Sequence, residues 1–201
     1  MTTVLVTGGS GVLGRRVVAR LRERGADVRV LSRRPGGEPG RVQGDLETGA
    51  GLTEAVAGVD VIVHCASAGD WLHPQRDVVQ TRNLLAAVGS ARPHIVYVSI
   101  VGVDRIRFGY FRAKFACERL IAASGLPWTV LRATQFHELI LTFLMLLAKG
   151  PVAVTVRGFS SQPVDVGEVA ERTTDLALGA PAGRVPDLGG PRVEDMTDLM
   201  R

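Results

Sequence analysis

The chain has 201 residues, 46% apolar and 22% charged, the composition of a soluble globular protein long enough for one full core. Lys and Arg total 24 against 20 Asp and Glu, a net charge of +4, but no Lys/Arg run of the kind that tracks a nucleic-acid backbone is present, so no nucleic-acid partner is expected. Cys65 and Cys117 form neither a metal-ligand pattern nor a disulfide framework, so no metal and a reducing cytoplasmic location are expected. The N-terminus runs straight into TVLVT (3–7), a buried-strand pattern, without the regions of a signal peptide. A helix follows over 12–24, with Leu13, Val17, Val18 and Leu21 at helical spacing, then a strand over 27–31. The pattern predicts a short strand at 42–45, a helix at 53–57, a strand at 59–65 (VDVIVHC) and a helix at 75–90. A strand at 94–100 (HIVYVSI), a helix at 110–124 and a strand at 128–132 come next, with later strands at 152–156 and 184–188. LILTFLMLLA (139–148) is about ten residues against about 20 for a bilayer span, so no membrane segment is expected. It reads as a buried helix, or as an interface helix that allows a homodimer.

Strands alternating with helices imply βαβ units and a mainly parallel sheet, and continuous apolar strands imply helices on both faces. The expected fold is therefore α/β, doubly wound, of the Rossmann type. It occupies 1–201 as a single domain, with 133–201 supplying a small C-terminal substrate lobe. TGGSGVLG (7–14) lies between the first strand and the first helix, the context in which Gly8, Gly11 and Gly14 mean dinucleotide binding. Ser10, Gly11, Val12 and Leu13 would carry the phosphates at a helix N-terminus, whose unpaired N–H groups and dipole favour anions. The second strand ends in Ser32, Arg33 and Arg34 rather than in an acid. Guanidinium forks bind a 2′-phosphate that a carboxylate would repel, so NADP(H) is expected over NAD(H).

These segments together resemble short-chain dehydrogenase/reductases of the extended or atypical kind, in particular the NmrA-like NAD(P)-binding group. The matching pieces are TGGSGVLG (7–14), GDL (44–46), TRNLLAA (81–87), YVSIVG (97–102), YFRAK (110–114) and LRATQF (131–136), in the family's order over about two thirds of the chain. The resemblance implies a reaction centre of Tyr110, Lys114 and an upstream Ser99. Residues i and i+4 share a helix face, and an ammonium beside a phenol favours the phenolate. It also implies Lys114 on the nicotinamide ribose, Asp45 with Leu46 at the adenine, and Cys65, Ala66 and Ser67 along the adenosine ribose. Asn83 resembles an active-site brace, and Thr134 follows the sixth strand at the cofactor edge. Gln135, Phe136 and His137 are candidates for the substrate pocket, and Trp71 and His73 for a cover over the cofactor. Ala133 departs from the family's usual Pro. The family usually carries a longer C-terminal portion than follows VEDMTDLM (193–200), which reads as the opening of a helix.

The implied function is hydride transfer between NADP(H) and a small carbonyl or quinone-type substrate. The alternatives are an NmrA-like regulator that senses NADP(H) without turnover and, after it, a sugar-nucleotide epimerase or dehydratase.

Overall fold

Strands that are apolar on both faces pair in parallel when helices cover both sides, and seven of the strands do so here. The structure is a computed structural model describing residues 1–34, 36, 39–69, 72–147 and 160–195. Its main sheet contains β1 (Thr3–Thr7), β2 (Asp27–Ser32), β3 (Arg41–Gln43), β4 (Val61–His64), β5 (His94–Ile100), β6 (Trp128–Ala133) and β8 (Gly183–Arg184). The order is β3-β2-β1-β4-β5-β6-β8, and every pair is parallel. A separate antiparallel pair joins β7 (Ser160–Ser161) to β9 (Glu194–Asp195).

Period-two alternation divides the core between the two faces. Val4, Val6, Val61 and Val63 face α1 (Val12–Glu23) and α6 (Val166–Leu178), packing on Val17, Leu21, Val169 and Ala170. Leu5, Ile62, Ile95 and Tyr97 face the other way, onto α2 (Leu52–Val56), α3 (Gln75–Val88) and α4 (Gly109–Ala123), meeting Leu52, Leu84, Cys117 and Ile121. The sheet is thus doubly wound, as the sequence pattern predicts. The chain leaves β1 toward β2 and β3 and then crosses to β4 on the opposite side, which opens a switch point between the carboxyl ends of β1 and β4. Open α/β sheets bind ligands at such a point.

Helix α4 is tied to the sheet by a buried charge network. Arg132 of β6 donates from Nε and NH2 to Glu118 of α4 at 2.9 and 2.7 Å. Its NH1 lies 3.0 Å from Asp104 in the β5–α4 connection. The hydrogen bond to Glu118 is the main reason the guanidinium is still more firmly protonated than usual.

Four parts of the C-terminal third depart from the sequence expectation. Helix α6 was not expected, although Asp165 caps it, accepting from Gly167 N and Glu168 N at 2.7 and 3.2 Å. Helix α5 (His137–Leu147) forms, but it is not buried on every side, as the first of its two expected readings has it. Leu139, Leu141 and Met145 are 49, 58 and 62% exposed while Ile140 is buried, so the positions of these three are open among the described residues. Glu194 and Asp195 pair as strand rather than opening a helix. The strand expected at 152–156 lies outside the described residues. That at 184–188 shortens to β8, with Leu188 making a lone bridge to Ala133.

Candidate functional site

The loop from β1 to α1 meets the end of β4 at the switch point. Gly8 has φ +70°, and a Cβ on it would stand 2.7 Å from the backbone N and Cα of Ala66. A Cβ on Gly14 would stand 2.1 Å from the Gly8 carbonyl oxygen, so no side chain fits at either position. Gly11 N donates to Gly8 O at 2.9 Å and closes the turn. As N-cap of α1, Gly11 supplies no side-chain cap, and the first turn holds no acid. The first-turn amides, those of Val12, Leu13 and Gly14, therefore have no partner in their own helix, and the dipole is uncompensated. Ser10, Gly11 and Val12 are exposed while Leu13 is buried. This cradle fits a dinucleotide pyrophosphate.

A second cleft lies at the ends of β2 and β3. Arg33, Gln43, Gly44, Asp45 and Glu54 line an open cavity of about 380 Å³. Arg33 and Arg34 are exposed and make no side-chain hydrogen bond or ion pair among the described residues. Ser32 Oγ accepts from Arg34 N at 3.2 Å, shaping the turn. Asp45 caps its own loop by accepting from Glu47 N at 2.8 Å, and Leu46 is buried behind it. Asn83 braces this loop rather than the Tyr110 region, donating to the carbonyls of Leu46 and Glu47 at 2.9 Å each.

Around Tyr110 the structure assembles a group whose centre the sequence reading missed. Asp77, in the first turn of α3, is 4% exposed. It accepts from Ser67 Oγ at 2.9 Å and from Ala68 N at 2.7 Å, and its Oδ2 lies 3.3 Å from Lys114 Nζ. Ser67 Oγ is 3.2 Å from the Tyr110 hydroxyl. Since the single Ser67 proton points to Asp77, the Tyr110 O–H donates to Ser67. Lys114 is buried over two rings, with Nζ 5.3 Å from the centroid of Tyr97 and 5.9 Å from that of Tyr110. Ser99, at the end of β5, is 3% exposed and its hydroxyl has no partner among the described residues. An acid in the first turn of a helix reads from sequence as a dipole partner. Asp77 was overlooked because its partners come from two other segments.

Beneath the group, His64 bridges β1 and α3. Its Nε2 is 3.2 Å from Thr81 Oγ1, whose proton goes to Asp77 O at 2.9 Å, and its Nδ1 is 2.7 Å from Thr7 Oγ1. These contacts require the neutral Nε2–H tautomer. Burial, seconded by the Lys114 ammonium, pushes His64 down to about 3. Burial pushes the neighbouring Cys65 thiol up to about 12, so it stays a neutral packing group. At the end of β6, Thr134 N donates to Leu188 O at 2.9 Å and Thr134 Oγ1 is buried without a partner among the described residues. Gln135 O accepts from Val164 N, Phe136 packs against the α1/α6 core, and His137 opens α5 exposed. His73 is exposed, and Trp71 lies outside the described residues.

The Asp77–Lys114 pair is buried enough for its loss to be costly. Asp77→Ala is expected to destabilise the protein by about 3–5 kcal/mol, because it strands an ammonium in a low-dielectric interior. Lys114→Met in the same chain should recover much of that loss. Urea denaturation of the two single variants and the double variant checks this, and additive effects would mean that the two charges do not interact.

Residues 8–140 match the family model described as NAD(P)H-binding. Among curated relatives, the 2-alkyl-3-oxoalkanoate reductase of Stenotrophomonas maltophilia (strain K279a) is 33% identical over 144 residues, 59% of this chain and 44% of that protein. The (4-alkanoyl-5-oxo-2,5-dihydrofuran-3-yl)methyl phosphate reductase of Streptomyces griseus is 33% identical over 141 residues, 66% of this chain and 48% of that one. The chain thus spans less than half the length of these relatives. The crystal structure of the Thermus thermophilus UDP-glucose 4-epimerase complex with NAD superposes with a TM-score of 0.79 at 21% identity, covering 99% of this chain and 81% of that one. That likeness shows the shared fold.

Proposed function

Because the chain belongs to the NAD(P)H-binding family, we propose that it is an NADP(H)-dependent oxidoreductase of the short-chain dehydrogenase/reductase type acting on a carbonyl compound. The observation that carries this reading is the Asp77–Lys114–Ser67–Tyr110 group beside the glycine turn at the switch point. Both reductases above are named for carbonyl compounds that also bear an acid group and an alkyl or alkanoyl chain.

When bound, the nicotinamide supplies or accepts hydride. The glycine turn and the first-turn amides of α1 would hold its pyrophosphate, and Arg33 would pair with a 2′-phosphate. Tyr110 donates its hydroxyl proton to the substrate oxygen, turning away from Ser67 to do so. Ser99 offers its hydroxyl to the same oxygen. Lys114 holds positive charge close to the phenol and would also bind the nicotinamide ribose, while Asp77 fixes the ammonium and the Ser67 loop.

Titration with NADPH and NADH, followed by nicotinamide fluorescence, tests the cofactor half. NADPH is expected to bind more tightly. Arg33→Ser should weaken it by about 10- to 100-fold, the worth of a hydrogen bond to a charged group, and leave NADH unchanged. Equal affinities for the two cofactors would overturn the preference. Loss of NADPH absorbance with a carbonyl probe separates the enzyme from a sensor that binds without turnover.

A further inference from the structure

Between β5 and α4, residues 104–108 read Asp-Arg-Ile-Arg-Phe, immediately before Gly109 and Tyr110. The turn is built rather than loose. Arg105 N and Ile106 N both donate to Gly102 O, at 3.0 and 2.9 Å. Asp104 is committed inward, its Oδ2 3.0 Å from the buried Arg132, whose hydrogen bond is the main reason this carboxyl sits below its usual range. Arg105 and Arg107 are exposed and make no side-chain hydrogen bond or ion pair among the described residues. Ile106 and Phe108 are 44 and 52% exposed. The β4–α3 connection lies alongside: a Cβ on Gly109 would stand 3.5 Å from Pro74 Cγ, and Leu72 in that connection is 87% exposed. Two guanidinium groups and three apolar side chains thus sit on adjoining connections at the carboxyl edge of the sheet, next to Tyr110.

We propose that this segment is a binding site for an anionic amphiphile, with Arg105 and Arg107 pairing with a carboxylate or phosphate and Ile106, Phe108 and Leu72 receiving the hydrocarbon chain. The proposal rests on Tyr110 as proton donor, since that reading puts the reacting carbonyl beside the segment. Guanidinium forks match carboxylate and phosphate oxygens. Asp104 pairs with Arg132, and its charge also acts on Arg105 without forming an ion pair with it. Exposed isoleucine and phenylalanine gain from desolvation by an alkyl chain and gain little from a sugar's hydroxyls.

Isothermal titration of decanoate and decyl phosphate into the free and the NADPH-saturated protein tests it. Both probes should bind, with affinity rising about three- to fourfold per methylene across octanoate, nonanoate and decanoate. Acetate and decyltrimethylammonium should not bind. The Arg105→Gln/Arg107→Gln double variant should weaken decanoate at least about tenfold, with Tm and NADPH affinity unchanged. Phe108→Ser should flatten the chain-length series. Undiminished decanoate binding by the double variant, or tighter binding of UDP-glucose than of decanoate, overturns the proposal. So does an arginine effect seen only on vesicles containing anionic phosphatidylglycerol, which would make the segment a membrane contact. NADPH binding without decanoate binding defeats this proposal alone, and failure of NADPH to bind defeats the cofactor reading.

Discussion

Tyr110→Phe is expected to lower turnover of a 3-oxoalkanoate or quinone probe by about 10²- to 10⁴-fold, the usual worth of a positioned general acid. The geometry explains why the effect should fall on turnover rather than on cofactor affinity. The Tyr110 hydroxyl is 3.2 Å from Ser67 Oγ and belongs to the Asp77 group, whereas the glycine cradle and Arg33 lie on other connections. Removing one oxygen leaves the ring, its edge-on contact with Phe111 and its place under Lys114. NADPH affinity should therefore stay within about twofold, because a ring kept in place removes no charge from the cofactor site. Measuring kcat and the NADPH Kd side by side gives the answer. A fully active variant would move the proton-donor role elsewhere.

The second large effect is a loss of stability in mild acid. An unfolded histidine takes up a proton as the pH falls through 6.5, but folded His64 remains neutral down to about 3. In that window the unfolded state binds more protons. Stability from this residue is then complete above pH 6.5 and is lost progressively toward pH 3, by about 5 kcal/mol. His94, lowered by burial and hydrogen-bonded to Thr129 Oγ1 at 2.8 Å, acts in the same direction. Urea midpoints measured from pH 7 to pH 4 should fall steeply for the wild type. They should fall less for His64→Asn, which starts lower because the bridge between Thr7 and Thr81 is weakened. Parallel pH profiles would show that protonation of His64 does not drive the acid transition.

Much of this architecture is legible locally. Strand and helix periods identify the elements as far as β6, and the placement of TGGSGVLG between a strand and a helix is a constraint within a few residues of itself. The missed α6 also had a local signal, Asp165 three residues before Glu168, the pairing that satisfies orphan N–H groups at a helix start. Other features have no local signal. Helix α5 is mostly apolar, and apolarity alone does not fix which side is covered, so the exposure of Leu139, Leu141 and Met145 had no local signal.

The sequence by itself determined a parallel, doubly wound sheet and a glycine turn at its first crossover, because periodicity and turn sterics act over one element at a time. Tertiary structure alone decided that Gly8 must be glycine on account of Ala66, and that Asn83 serves the Asp45 loop. It also decided that Asp77 collects Ser67, Ala68 and Lys114 into one buried group. Each of these contacts joins segments that meet only when both faces of the sheet are covered. A buried charge selects its partner by proximity in space, which the order of residues along the chain does not encode.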